Sequence, residues 1–133
     1  MFRSLRKVWK SQKGLTLIEL LAVVVILGII AAIAVPAIGN IINNTRDDAK
    51  IAEGIQIING AKIAYASSPE SISFTSKELE GFVQNVDAKE KGYSVTVSAE
   101  GVFTLIKHKS AALVLNSDND TSVTEAELIV GRK

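Results

Sequence analysis

The pattern of apolar positions divides the chain into three stretches. From Leu20 to Ile38 no charged side chain occurs, a run of 19 residues. As a helix it would cover about 28 Å, close to the roughly 30 Å hydrocarbon core of a bilayer. Beyond Asn40 the uniform run becomes periodic. Ile41, Ala49, Ala52, Ile55, Ile58 and the segment from Lys62 to Tyr65 recur at helical spacing, with Arg46, Asp47, Asp48, Lys50, Glu53 and Gln56 between them. One helix is therefore expected from about Leu15 to Ala66, ending before Ser67-Ser68-Pro69. Further on the period changes to two in Tyr93 to Ser98 and again in Val102 to Ile106, with Ala99-Glu100-Gly101 between them, which predicts a β-hairpin. Ala111 to Leu115 and Glu127 to Val130 are expected as a third and a fourth strand. Thr75 with Glu78 spells a capping box that opens a short helix through about Val83. A small antiparallel sheet needs its apolar face covered, and the amphipathic stretch between Ile41 and Tyr65 is the expected cover. The fold class is α+β.

Breaks in the helical pattern are informative. Pro36 removes a backbone donor and crowds the carbonyl near Ala32, so a kink or a locally unwound turn is expected there, in a segment also carrying Gly28 and Gly39. Ala22, Gly28, Ala31, Ala32 and Ala34 allow close approach of other helices. Gly54 and Gly60 each cost a helix about 1 kcal/mol relative to Ala, and would permit close packing against a sheet. Arg46, Asp47 and Asp48 are read as a solvated face.

Charge changes the picture at the N-terminus. Arg3, Arg6, Lys7, Lys10 and Lys13 precede Gly14, whereas the first acidic residue is Glu19. Without residues 1–14 the chain carries 10 basic and 14 acidic side chains, net −4, which does not indicate nucleic-acid binding. A basic, acid-free leader before an apolar run places residues 40–133 across the membrane. Three processing routes are compatible with that topology. An ordinary secretory signal would be cut at Ala32-Ile33-Ala34 and release a chain starting at Val35, but it would carry a carboxylate in its apolar region. An uncleaved anchor leaves Glu19 without a role. A cut after Gly14 keeps the whole apolar segment in the product and creates a cationic α-amine on Leu15, four residues from Glu19. Each charge is then the remedy for the other, within one helix or between two staggered ones.

The string Lys13-Gly14-Leu15-Thr16-Leu17-Ile18-Glu19-Leu20 closely resembles the class III signal of type IV prepilins and of the related pseudopilins of type II secretion and competence systems. The resemblance implies a pilin-like fold and cleavage between Gly14 and Leu15 by a prepilin peptidase. It also implies N-methylation of Leu15, where the family most often has Phe, and assembly through Glu19 of one subunit and the Leu15 amine of its neighbour. Gly28, Pro36 and Gly39 would then mark a segment that melts as subunits pack. Residues 1–14 become a cleaved leader, 15–39 the membrane and filament-core helix, and 40–133 a soluble head, with helix to about 66, a loop and short helix over 67–91, and strands over 92–133. The implied partners are further copies of the chain, the peptidase, an inner-membrane assembly platform with minor pilins, and the bacterial plasma membrane before export to an extracytoplasmic filament. A pilus subunit and a pseudopilin both fit; a membrane-anchored binding module that never polymerises is the reading from a different class.

Little else in the chain suggests chemistry. There is no cysteine, hence no disulfide, thiol nucleophile or thiolate metal site. The single histidine, His108, is expected at a solvated strand edge beside Lys107 and Lys109, and no enzyme is expected. Residues 116–127 place oxygen ligands as in a calcium-binding EF-hand loop, at Asn116, Asp118, Asp120, Ser122 and Glu127. Asn replaces the first Asp of that pattern, Thr121 stands where glycine makes the turn, and the preceding segment reads as a strand. The competing expectation is a polar turn with no cofactor.

Overall fold

A computed structural model describes the chain except for Met1, Asn85, residues 87–89, Lys91, Asp120, Arg132 and Lys133, with side chains described from Gln12 onward. Two compact units result, Met1–Asn43 and Asn44–Lys133. Helix α1 (Phe2–Ser67) contributes to both. It reaches Ser67, one residue past the expected end, and its backbone stays helical through Gly28, Pro36 and Gly39.

The second unit adds β1 (Ser73–Thr75), α2 (Ser76–Leu79), β2 (Ser94–Val97), β3 (Phe103–Ile106), α3 (Lys109–Leu115), β4 (Ser122–Thr124) and α4 (Glu125–Val130). The four strands form an antiparallel sheet in the order β1-β2-β3-β4. Val95 lies opposite both Phe74 and Leu105, and Leu105 opposite Val123. The β2–β3 turn closes with Ser98 N–H donating to Val102 O and Gly101 N–H donating to Ser98 O. Gly101 takes φ +79°, a conformation that favours glycine.

One face of the sheet supplies Phe74, Val95, Val97, Phe103, Leu105 and Val123 to the core. Against them α1 buries Ile51, Ile57, Ile58, Ala61 and Ala64, a helical stripe. The stripe begins later than the sequence pattern suggests, since Ile41, Ala49 and Ala52 are exposed. Arg46 and Asp48 are exposed and Asp47 is partly buried. Tyr65 meets the Phe103 ring edge-on at 5.9 Å, and Lys62 lies over the same ring while pairing with Glu125 of α4.

The two glycines of this stretch of α1 mark close approaches. A Cβ on Gly54 would lie 2.7 Å from Ser110 Oγ and 3.3 Å from Leu105 Cδ2. One on Gly60 would collide with Val83 Cγ2 and come within 3.3 Å of the Phe82 carbonyl oxygen. For Gly54→Ala, overpacking of about 1–3 kcal/mol outweighs a helix-propensity gain of about 1 kcal/mol. The expected outcome is a net loss of about 1 kcal/mol, read as a lower urea midpoint in the detergent-solubilised chain.

Two expected strands are helices. Ala111 to Leu115 belongs to α3, whose first turn is capped by His108 accepting from Ser110 N–H and whose end is set by Asn116 in the left-handed region at φ 52°. Glu127 to Val130 belongs to α4, which starts from a Thr124–Glu127 capping box. Thr124 N–H and its hydroxyl both donate to Glu127 Oε2 at 2.8 Å. The expected box at Thr75 forms in the same way, with both donors 2.7 Å from Glu78 Oε2. These bonds hold the Glu78 carboxyl below its ordinary value, the backbone donor contributing most. Helix α2 ends at Leu79, short of Val83, and turns follow.

Candidate functional site

In the first unit the site is a helix surface. Leu15, Leu17, Ile18, Leu21, Ile33 and Val35 are all more than 60% exposed, and apart from the half-buried Ala34 the apolar side chains between Leu20 and Ile42 are exposed around the helix rather than on one face. Burying so much apolar surface requires hydrocarbon or other copies of such a helix. Among the described residues this is the one helix long and apolar enough to cross a membrane. Glu19 is exposed within it, four residues after Leu15, and no ion pair of Glu19 occurs among the described residues. The polar group of Thr16 is satisfied locally, its hydroxyl lying 3.0 Å from Lys13 O and 3.2 Å from Gln12 O. A Cβ on Gly14, Gly28 or Gly39 would meet nothing within 4 Å. Packing inside the chain therefore gives no reason for glycine at these three positions.

The residues read as calcium ligands are dispersed among structural tasks. Asn116 ends α3, Ser122 opens β4, Glu127 caps α4, and Asp120 lies outside the described residues. Asn116 and Asp118 line a polar groove of about 360 Å³ with Asp47 and Lys109. The segment before the loop is helical, correcting the expected strand.

His108 corrects the expectation more sharply. It is 3% exposed, not solvated, and lies among Lys50 and Glu53 of α1 and Glu90. Its Nε2 is 2.9 Å from Glu90 Oε2 and 3.9 Å from Glu53 Oε1. On the other side, Nδ1 is 2.7 Å from Ser110 Oγ and accepts from Ser110 N–H at 3.2 Å. Tyr93 packs edge-on against the imidazole. Burial pushes the imidazole below its ordinary value, against the pull of Glu90 and Glu53 and with that of Lys50. Burial also opposes the Lys50 charge, but hydrogen bonds to Glu53 and Glu90 and their negative charges together hold the ammonium above its ordinary value. Ser110, His108 and Glu90 stand in the order of a nucleophile relay, with Ser110 fully buried. Sequence reasoning missed this cluster because its members lie far apart in the chain.

An exposed apolar helix of membrane-spanning length and a small α+β head are thus parts of one chain. A family described as "Prokaryotic N-terminal methylation motif" matches residues 9–35. The chain is 37% identical over 90 residues to a type IV major fimbrial protein FimA of Dichelobacter nodosus, covering 68% of this chain and 53% of the relative. It is 30% identical over 114 residues to the type IV major pilin protein PilE1 of Neisseria gonorrhoeae, covering 77% and 51%. The chain thus spans about half the length of these curated relatives. No solved structure matches. The chain thus carries the N-terminal motif of type IV prepilins and, over the aligned part, is similar to type IV pilin and fimbrial proteins.

Proposed function

We propose that the chain is the structural subunit of a type IV pilus-like filament. It is inserted in the bacterial plasma membrane as a prepilin, cut between Gly14 and Leu15 by a prepilin peptidase, and polymerised with further copies through its N-terminal helix. The observation that carries this reading is the exposed apolar surface of α1 with one carboxylate, Glu19, placed five residues after Gly14. Hydrocarbon covers that surface before assembly and neighbouring helices cover it afterwards. An ionised carboxylate is tolerated in either setting when a cation joins it, and the new α-amine of Leu15 is that cation. Glycines at 14, 28 and 39 that no intrachain contact requires suit a peptidase at the first position and packing or local melting of neighbouring helices at the others. The relatives named as major pilin and fimbrial proteins favour a pilus subunit over a pseudopilin.

The test is the mass of the chain recovered from sheared cell-surface material, combined with electron microscopy of the same sample. A methylated chain beginning at Leu15 within filaments is the expected result. An intact chain, or one beginning at Val35, overturns the proposal.

A further inference from the structure

The Lys50–Glu53–Glu90–His108 cluster lies within the second unit, which the proposed function uses only as a head. The three acceptor residues converge, with one ligand atom each from Glu53, Glu90 and His108 within 4.8 Å of one another. Nε2 of His108 and Oε2 of Glu90 are buried without a hydrogen-bond partner among the described residues, because their 2.9 Å approach lacks hydrogen-bond direction. Two buried polar atoms facing each other in this way are costly unless something joins them. Lys50 does not: its ammonium takes the outer oxygens, Glu53 Oε2 at 2.9 Å and Glu90 Oε1 at 3.1 Å. Both carboxylates are thereby oriented with their other oxygens toward Nε2.

We propose that Glu53, Glu90 and His108 form a binding site for one divalent first-row transition-metal ion, zinc being the best fit, within the head. One imidazole and two monodentate carboxylates are a donor set for such an ion, with water in a fourth position. Tetrahedral ligation at about 2.0–2.2 Å separates ligand atoms by about 3.4 Å. The present spacings bracket that value, so side-chain movements of roughly 1 Å suffice. With the imidazole neutral, the two carboxylates and one ammonium among the described residues sum to −1 around the ion. The Nε2 lone pair ligates when the ring proton sits on Nδ1; Ser110 Oγ at 2.7 Å then accepts that proton, and Ser110 N–H gives up its bond to Nδ1. A neutral ring releases no proton in the exchange; the proton leaves Nε2 and one returns to Nδ1 through solvent. Such an ion would tie α1 to the segment before β2 and to the start of α3, three parts of the head that no disulfide joins.

The test uses the full chain in detergent, stripped with a chelator, loaded with zinc chloride and desalted, with the bound metal counted by elemental analysis. About one zinc per chain and a zinc-dependent rise in melting temperature are expected. Glu90→Gln, which lies outside the regular elements and preserves side-chain size, should bind zinc at least about ten-fold more weakly while keeping the same circular dichroism. Asp118→Asn, in the 116–127 loop, should bind as the parent does. His108→Gln also removes the cap of α3, so the Glu90 variant carries the decision. A parent chain that retains no zinc overturns the proposal, as does a Glu90→Gln chain that retains it undiminished.

Discussion

Glu19→Ala is expected to give chains that are cut after Gly14 and inserted in the membrane but form no filaments. The substitution removes the only charge between Lys13 and Arg46. Glu19 lies at the start of the apolar run, so its carboxylate costs less than the about 2.5–3.5 kcal/mol of one at a helix centre, and its removal should not hinder insertion. Cutting requires the leader and the bond after Gly14, which the substitution leaves intact. What disappears is the counter-charge for the Leu15 amine. An unpaired ammonium buried in a filament core would be destabilised by about 3–5 kcal/mol, and that loss recurs at every subunit added. Immunoblots for the shortened chain in membranes, with electron microscopy of the cell surface, separate the two steps. Normal filaments from the variant would refute an assembly role for Glu19.

Leu105→Ala should have the largest effect on the head. Leu105 is fully buried on β3 between Val95 and Val123, themselves almost wholly enclosed, and reaches Gly54 of α1. Removing a buried leucine costs about 2–5 kcal/mol, the upper part of that range where neighbours cannot close the cavity. Sheet on one side and helix backbone on the other leave little room to collapse. Since domains are stable by about 5–15 kcal/mol, a loss of about 3 kcal/mol should lower the urea midpoint sharply. Ile129→Ala, at a side chain 67% exposed, should change it by less than about 0.5 kcal/mol. Equal effects of the two variants would place the core elsewhere.

The parts of this fold legible in the sequence are those whose signal is long or chemically redundant. Helix α1 carries its signal over dozens of residues, the β2–β3 hairpin shows strict alternation around a glycine turn, and Thr75-x-x-Glu78 announces a helix start. The failures were short apolar runs. Ala111 to Leu115 and Glu127 to Val130 are too short for periodicity to tell a buried strand from one or two helical turns. Thr124-x-x-Glu127 repeats the Thr75 signature, so the start of α4 is legible there, although Glu127 also fits the last position of the calcium-loop pattern. β1 and β4 have three residues each and gain their identity only by pairing with β2 and β3.

His108 had no comparable signal. Beside two lysines it resembles a solvated residue, and its burial depends on Lys50 and Glu53 from α1 and on Glu90 from a separate segment.

By itself the sequence determined the membrane-length apolar helix, the basic leader, the position of Glu19 relative to Gly14, and hence the prepilin-type N-terminal motif. These are one-dimensional properties, since hydrocarbon and a peptidase meet the chain as an ordered string of residues. Tertiary structure alone decided that β1, β4 and α3 form as they do, what Gly54 and Gly60 approach, and that a histidine flanked by lysines is buried against carboxylates. Each of those outcomes depends on atoms brought within a few ångströms by packing of a helix on a sheet, and no local pattern encodes that distance.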